Sequence, residues 1–288
     1  MYLVKRIAAA TAMLGLAACG GGGGGGGTVS SSGALNYVPV YASGPGDTVT
    51  ASLVAAGATG TLSRANALSN RATLTSIKVR LSPDRQTAFV TIGGGSERTL
   101  TADPSVAAPD VNGGLYGSSS NPSIPSLGLT NLTDTSLVSY TVNSSGGFGI
   151  IGIETPPANL PASASYTGNW NGFINPIPSA LTDFAAGGGT LTLTVAFGSN
   201  TATGAFSGSF SDGGPAGQPT SGIITATTSE NGLLGTFDFN TGKYQGDVDF
   251  AAKAYGDTAD VVAGSLGGSI VNGASGNTHA IYGTFSAD

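Results

Sequence analysis

The sequence has little of what enzymes depend on. Only 9% of its 288 residues are charged, and it holds one cysteine and one histidine. A single histidine excludes a metal cluster built on several histidines, and His279 has no neighbouring motif for a nucleophilic triad. A single cysteine excludes an internal disulfide. We therefore expect a protein that is not an enzyme and that holds no metal or cofactor.

Long apolar runs are missing as well. After residue 19 none approaches the roughly 20 residues that a membrane-spanning helix needs, and the apolar run at 7–16, which follows two basic residues, is too short. This pattern is typical of a secretory signal peptide. The residues Leu16-Ala17-Ala18-Cys19 resemble the lipobox of bacterial lipoproteins, in which the cysteine sulfur receives a diacylglycerol. We predict a signal peptide at 1–18, cleavage between Ala18 and Cys19, and lipidation of Cys19; the alternative is a plain secretory peptide with a chance cysteine.

Glycine, by contrast, is abundant, and eight consecutive glycines occupy residues 20–27. Gly-rich segments behave as flexible coils, which gives residues 20–33 a reach of roughly 20 Å. A phosphate-binding glycine loop needs a strand before it and a helix after it, and neither flanks this run. We interpret residues 19–35 as the lipidated cysteine and a tether.

Charge is unevenly distributed along the chain. Residues 20–100 hold six basic and three acidic side chains, a net charge of +3, whereas residues 101–288 hold two basic and thirteen acidic ones, a net charge of −11. A field of that sign repels nucleic acid. It favours a basic partner, although plain solubility explains it equally well.

Three prolines between residues 155 and 161 interrupt the chain, because proline donates no ladder hydrogen bond. We predict a linker at 155–165, preceded by an N-terminal β-rich handle-like domain at 36–154. Alternating apolar and polar residues there predict a hairpin and two later strands, with a long loop between them, and the one place where a short helix is allowed lies before the hairpin. The predicted ranges are 77–81 and 86–92 for the hairpin, 135–142 and 148–154 for the strands, 62–74 for the helix and 104–125 for the loop.

Residues 166–288 read as eight short strands with one apolar face. Leu191, Leu193 and Val195, for example, alternate with Thr192 and Thr194. Eight antiparallel strands of this kind close most simply into an up-and-down barrel whose interior is filled by side chains. The fold class is therefore all-β, with strands predicted at 166–173, 190–197, 203–211, 222–228, 233–239, 243–251, 260–271 and 278–286.

One hairpin of this barrel allows a prediction of register. A turn at Thr241-Gly242 pairs Phe239 with Tyr244, and it places Phe237 opposite Gly246, where the ring fills the gap that glycine leaves. A three-residue turn with a bulge shifts this register by one and stays open as an alternative.

Three stretches carry a resemblance to a known family: FGIIGIETPPANLPASASYTGNWNGF at 148–173, GGGTLTLTVAFGSNTATGAFSG at 187–208 and GSLGGSIVNGASGNTHAIYGTFSA at 264–287. They resemble the C-terminal barrel of the transferrin-binding protein B family, over about 140 residues and in spacing more than in chemistry. The resemblance implies a Gram-negative outer-membrane lipoprotein with a glycine-rich tether, a handle domain and an eight-stranded barrel. It departs at Ile270-Val271-Asn272-Gly273, where family barrels often carry an aromatic-rich stretch. The chain has room for one such lobe, so no family binding residue is carried over.

Few residues are candidates for function. Tyr166, Trp170 and Phe173 are either core aromatics or binding hot spots. Asp247 and Asp249 fall on one strand face and suggest paired acids, a calcium site or, more simply, a solvated exterior. His279 is expected at the surface. The GxGxxG match at 147–152 lies in a predicted strand, so we interpret it as strand glycines. Candidate binding loops are 171–183, 213–220 and 272–278.

Two functions fit these observations. The first is a lipid-anchored, surface-exposed module that binds a macromolecular or iron-bearing ligand, with an outer-membrane transporter as a further partner. The second is a structural or adhesive surface lipoprotein with no cargo.

Overall fold

The computed structural model describes residues 58–65, 72–82, 84–109, 113–117, 125–131, 135–142, 145–175, 185–211 and 217–288. These residues form sixteen β-strands and one short 3-10 helix, Pro157–Asn159. The strands make two eight-stranded antiparallel sheets, so the all-β prediction is confirmed. The predicted signal peptide, Cys19 and the tether lie outside the described residues.

The first sheet contains the strands β1 to β8 in the spatial order β4-β3-β2-β1-β8-β7-β6-β5. Its outer strands nearly meet, because Ala102 forms a bridge with Tyr116 and the Asp103 amide donates to the Leu115 carbonyl at 2.9 Å. Its core includes the buried side chains of Leu62 and Ile77. The strands are β1 Ala58–Ala65, β2 Ala72–Leu81, β3 Thr87–Ile92, β4 Arg98–Thr101, β5 Gly113–Gly117, β6 Ser126–Asn131, β7 Thr135–Val142 and β8 Ser145–Gly152.

The structure confirms some predictions for this sheet and corrects others. The predicted hairpin is β2 and β3, and the strand predicted at 135–142 is β7 with the same bounds. The short helix at 62–74 is wrong, since its described residues lie in the paired strands β1 and β2. The strand was not recognised because Gly60 and Ser63, on either side of Leu62, break the visible alternation of apolar and polar residues. The loop predicted at 104–125 contains a strand, β5.

The second sheet is the closed barrel of strands β9 to β16, each paired with its neighbours in sequence, and β16 pairs with β9. The barrel prediction is confirmed, and all eight predicted strands are present with somewhat different ends. The strands are β9 Ala164–Asn175, β10 Ala185–Ala196, β11 Thr201–Phe210, β12 Gln218–Ser229, β13 Gly232–Gly242, β14 Tyr244–Tyr255, β15 Val261–Asn272 and β16 Thr278–Ala287.

Large side chains fill the barrel. Trp170 is fully buried at its centre, and its ring meets the rings of Phe206, Phe210 and Phe239 edge-on at centroid distances of 5.5–5.9 Å. Its indole N–H donates to the Ser207 carbonyl at 3.1 Å. Aromatic pairs prefer this edge-to-face arrangement, so the interior is a packed core and not a ligand cavity.

The predicted register of the β13–β14 hairpin is wrong. Phe239 pairs with Gly246 and Phe237 with Val248, so each partner lies two residues further along than predicted. The reason is the turn, which lies at Gly242-Lys243, where Gly242 has a φ of +93° that suits glycine. The predicted pairing of a phenylalanine with a glycine is still present in the new register, between Phe239 and Gly246.

The two sheets pack on each other face to face, with β1, β2 and β8 against the outer wall of β14, β15 and β16. Ser265 and Gly267 of β15 lie against Thr61 and Ser63 of β1, so the two strands run in the same direction. This explains why β15 and β16 are buried on both faces along most of their length. We call this contact the joint.

Candidate functional site

The barrel has two unlike ends. The end at which β9 begins also receives Ala58, the first described residue, because neighbouring Thr59 contacts Glu154 and Tyr255 there. We call it the entry end. At the opposite end, which we call the loop end, β9, β11, β13 and β15 end and β10, β12, β14 and β16 begin. Each of the three loops that the sequence analysis proposed for binding follows a strand that ends there.

Two turns of the loop end are joined by hydrogen bonds. The Gly273 amide donates to the Lys243 carbonyl at 2.8 Å. The Asn272 side-chain oxygen accepts from the amides of Ala274 and Ser275 at 3.0 and 3.3 Å, an arrangement in which asparagine imitates a backbone turn. The exposed groups of this turn, including Ser275, are therefore held in place.

Charge is unevenly placed among the described residues of the barrel. Lys243 lies there, with its ammonium 5.3 Å from the Tyr244 ring centroid, a cation–π geometry. The acidic side chains of the described barrel lie at the entry end, such as Glu230 and Asp257, or on the wall, such as Asp247. Among the described barrel residues, the loop end thus carries a cation and no carboxylate.

The three aromatic candidates from the sequence are packing residues in this structure. Tyr166 is 4% exposed and donates its hydroxyl to the Ala259 carbonyl at 2.8 Å, and Trp170 is the centre of the barrel. Phe173 points outward into the joint, where it stacks on Phe148 and Tyr282 at centroid distances of 5.1 and 5.7 Å. The core interpretation therefore fits them better than a hot spot does.

Other candidates are now placed as well. His279 is 5% exposed, so the surface prediction is wrong; its ring packs edge-on against Tyr244 inside the loop end of the barrel, with centroids 5.5 Å apart. Asp247 and Asp249 are exposed on the outer wall, as expected for a solvated exterior. In the described part of the chain, no group of three or more metal-ligating side chains is arranged to hold an ion. The glycines at 147–152 lie in β8.

The sequence analysis missed a polar cluster at the entry end of the joint. The Glu154 carboxylate lies between the two sheets and accepts from the Thr59 hydroxyl and from the ammonium of Lys253 through Oε1, and from the Asn231 amide through Oε2 at 3.1 Å. Asn231 also donates to the Thr155 carbonyl at 3.1 Å. No sequence motif predicts this cluster, because Glu154 is 77 to 99 residues away from each of these three partners in the chain.

The environment of Glu154 sets its ionisation. Burial raises the pKa of its carboxyl, but the hydrogen bonds from Lys253, Thr59 and Asn231 and the charge of Lys253 outweigh burial, so the pKa is lower than usual. Tyr255 lies beside the cluster and is almost fully buried, and burial, reinforced by the charge of Glu154, raises the pKa of its phenol. Glu154 is therefore ionised at neutral pH.

The fold is similar to solved structures of transferrin-binding protein B. A double mutant of the vaccine antigen from Haemophilus parasuis aligns at 13% identity and a TM-score of 0.39, over 75% of this chain and 54% of that one. The protein from serogroup B Neisseria meningitidis aligns at 14% identity and a TM-score of 0.38, over 75% and 53%. An intact protein with N and C lobes aligns at 12% identity and a TM-score of 0.39, over 74% and 52%.

The chain spans about half the length of these structures. No protein-family model and no curated protein sequence matches it. Within the described ranges there is no helix with the length and apolar character needed to cross a membrane.

Proposed function

We propose that this protein is an outer-membrane-anchored, surface-exposed lipoprotein that binds a macromolecular or iron-bearing ligand through its loop end. One observation carries the proposal: the barrel connections at the loop end lie opposite the end that the chain enters at Ala58. In this proposal the lipid on Cys19 is linked to the fold through Ala58, at the entry end. The loop end is then the surface left free for a partner.

The filled interior of the barrel favours a ligand that binds at the surface over one that enters a cavity. Trp170 and its neighbouring rings occupy the barrel centre, so recognition uses the loops and the rim. Protein partners suit such a surface, and the solved structures to which the fold is similar are named for binding transferrin. An accessory role beside an outer-membrane uptake receptor belongs to the same proposal.

Direct binding tests the ligand class. The full chain is immobilised and exposed to iron-loaded and iron-free transferrin and to a solubilised outer-membrane fraction from iron-starved cells. We expect saturable binding that weakens at least tenfold when residues 273–277 are replaced by a Gly-Ser linker of equal length. The matched control replaces the turn at Ser199-Asn200 at the entry end and leaves binding unchanged.

Two results contradict this proposal in different ways. Equal loss of binding in both turn variants moves the site away from the loop end. Absence of binding to every probe by a protein with a native thermal transition favours the second function, a structural or adhesive lipoprotein without cargo.

Anchoring is tested separately with Cys19→Ala. Thioether formation needs the cysteine sulfur, so we expect the variant to accumulate as precursor without lipid. The measurements are phase partitioning into detergent and sensitivity of processing to globomycin. A wild-type protein that is freely soluble after export contradicts the lipoprotein proposal.

A further inference from the structure

The cluster at the entry end brings an amine and a carboxamide to one carboxylate. Lys253 contacts Oε1 of Glu154, and the Asn231 amide nitrogen lies 3.1 Å from Oε2. The pair is adjacent in the sheet, because Lys253 is the cross-strand partner of Gly232, the residue after Asn231. Asn231 is 9% exposed and Glu154 and Lys253 are about one-quarter to one-third exposed.

These are the reactants and the proton carrier of an amide exchange. A lysine amine is a nucleophile once it has lost a proton to a neighbouring base, and a carboxylate in hydrogen-bond reach of both groups can move that proton to the leaving group. Holding both groups on one carboxylate makes their encounter intramolecular instead of bimolecular, which lowers the barrier.

We propose that Lys253 and Asn231 form an intramolecular isopeptide bond, with Glu154 as the proton carrier. Glu154 takes a proton from the Lys253 ammonium, and Nζ then attacks the Asn231 Cγ. The Nζ–Cγ bond forms and the Cγ–Nδ2 bond breaks. Glu154 delivers this proton to the departing nitrogen, which leaves as ammonia. Glu154 then takes the second proton that Nζ loses on becoming an amide nitrogen and passes it to the ammonia, so that ammonium is the final leaving product. No oxidant, reductant or metal is needed, and the product ties β14 to the turn before β13.

The ion pair between Glu154 and Lys253 limits the rate of this reaction. Because the pKa of Glu154 is held low, the charged pair predominates and attack passes through the minor neutral pair. The bond therefore forms more slowly than it would if the neutral pair predominated. Folding must come first, since Glu154 reaches the other two groups only when the two sheets are packed.

Mass spectrometry of the full chain in detergent tests the bond. We expect wild-type protein to lose one ammonia relative to its Lys253→Arg variant, after correction for the substitution. Proteolysis between residues 231 and 253 should leave a branched peptide that contains both. A wild-type mass equal to that expected from the sequence in an aged sample overturns the proposal.

A competing reaction also expels ammonia, because Asn231 precedes Gly232 and can cyclise to a succinimide. Lys253→Arg separates the two reactions: it abolishes the isopeptide bond and leaves a succinimide unaffected. Asn231→Asp gives a second readout, since the isopeptide then forms with loss of water. Glu154→Gln should block the bond, and Lys243→Arg, on the exposed turn at the loop end, should not change the mass loss. Loss of ammonia that persists in Lys253→Arg contradicts the proposal.

Discussion

The two sheets have the same number of strands but differ in whether their edge strands pair to close the sheet. The strands of the barrel are 10 to 12 residues long and close completely, whereas β4 and β5 of the first sheet have four and five residues and leave one bridge between its edges. The barrel core contains Trp170 and a set of phenylalanines, while the first core is mainly aliphatic around Tyr116. Closure thus goes with long strands and with large rings at the centre.

Removing the Trp170 ring from the barrel core should have the largest effect on the difference in stability between the two sheets. Trp170→Ala leaves a cavity among Phe206, Phe210 and Phe239, so we expect the free energy of unfolding to fall by about 3–5 kcal/mol. Denaturant unfolding followed by circular dichroism measures it. Phe89→Ala, which removes a half-exposed ring under Arg80 in the first sheet, should cost about 1 kcal/mol or less. Equal costs would mean that the barrel interior is not the main source of stability.

A wedge in the joint should separate the two sheets. A Cβ on Gly267 would lie 2.6 Å from the Ser63 hydroxyl and 3.5 Å from Ala72, so Gly267→Leu should cost about 1–3 kcal/mol through overpacking. Trp170 is the only tryptophan, and its fluorescence follows the barrel alone while circular dichroism follows both sheets. We expect coincident transitions in the wild type and separated ones in the variant.

The control for the wedge is Gly94→Leu, because a Cβ at that exposed turn meets nothing within 4 Å. It should leave both transitions coincident. If the wild-type transitions already differ, the sheets unfold independently and the joint does not couple them.

Loss of one hydroxyl should weaken the joint less. Thr61 donates to the Ala251 carbonyl at 3.0 Å and accepts from the Ser265 amide at 3.2 Å. Thr61→Val leaves both backbone groups without this partner, so we expect a cost of about 1–2 kcal/mol. Thr192→Val on the exposed wall of β10 should be nearly neutral in the same denaturant experiment. A neutral Thr61→Val would show that water replaces the hydroxyl.

The smallest effect concerns one buried tyrosine in each sheet. Burial raises the pKa of Tyr116, against the charge of Arg85, and raises the pKa of Tyr166 together with the charge of Asp260, in both cases to about 12. A phenol whose pKa rises on folding stabilises the protein below its unfolded pKa near 10, and this contribution is lost as the pH rises toward 12. Ultraviolet titration should show one late phenol fewer in Tyr116→Phe and in Tyr166→Phe. Early ionisation of either phenol would mean that its sheet opens first.

Sequence patterns predicted the barrel because its strands alternate visibly. Leu191, Leu193 and Val195 point inward and the threonines between them outward, and this pattern is enough to locate a strand. The register of the β13–β14 hairpin could not be predicted from the alternation of residues, because both Thr241-Gly242 and Gly242-Lys243 suit a tight turn. The structure decides it through the left-handed conformation of Gly242.

The joint and its cluster were not predictable for a different reason. Thr61, Ser265 and Gly267 are small or polar, and in an isolated strand such residues indicate a solvent-facing side. They are buried only because a second sheet with equally small side chains lies against them. Glu154 likewise looked like the end of a strand before a linker, and its partners come from three distant parts of the chain.

The separation of the barrel into an entry end and a loop end bears on how such a protein can diverge. Exposed turns tolerate insertions far better than paired strands, and every barrel connection at the loop end can lengthen without touching the joint, the Glu154 cluster or the ring cluster around Trp170. The surface at the loop end can therefore change between related lineages while the packing is inherited intact. The same geometry makes the Gly242-Lys243 turn the natural place to insert a foreign epitope for display.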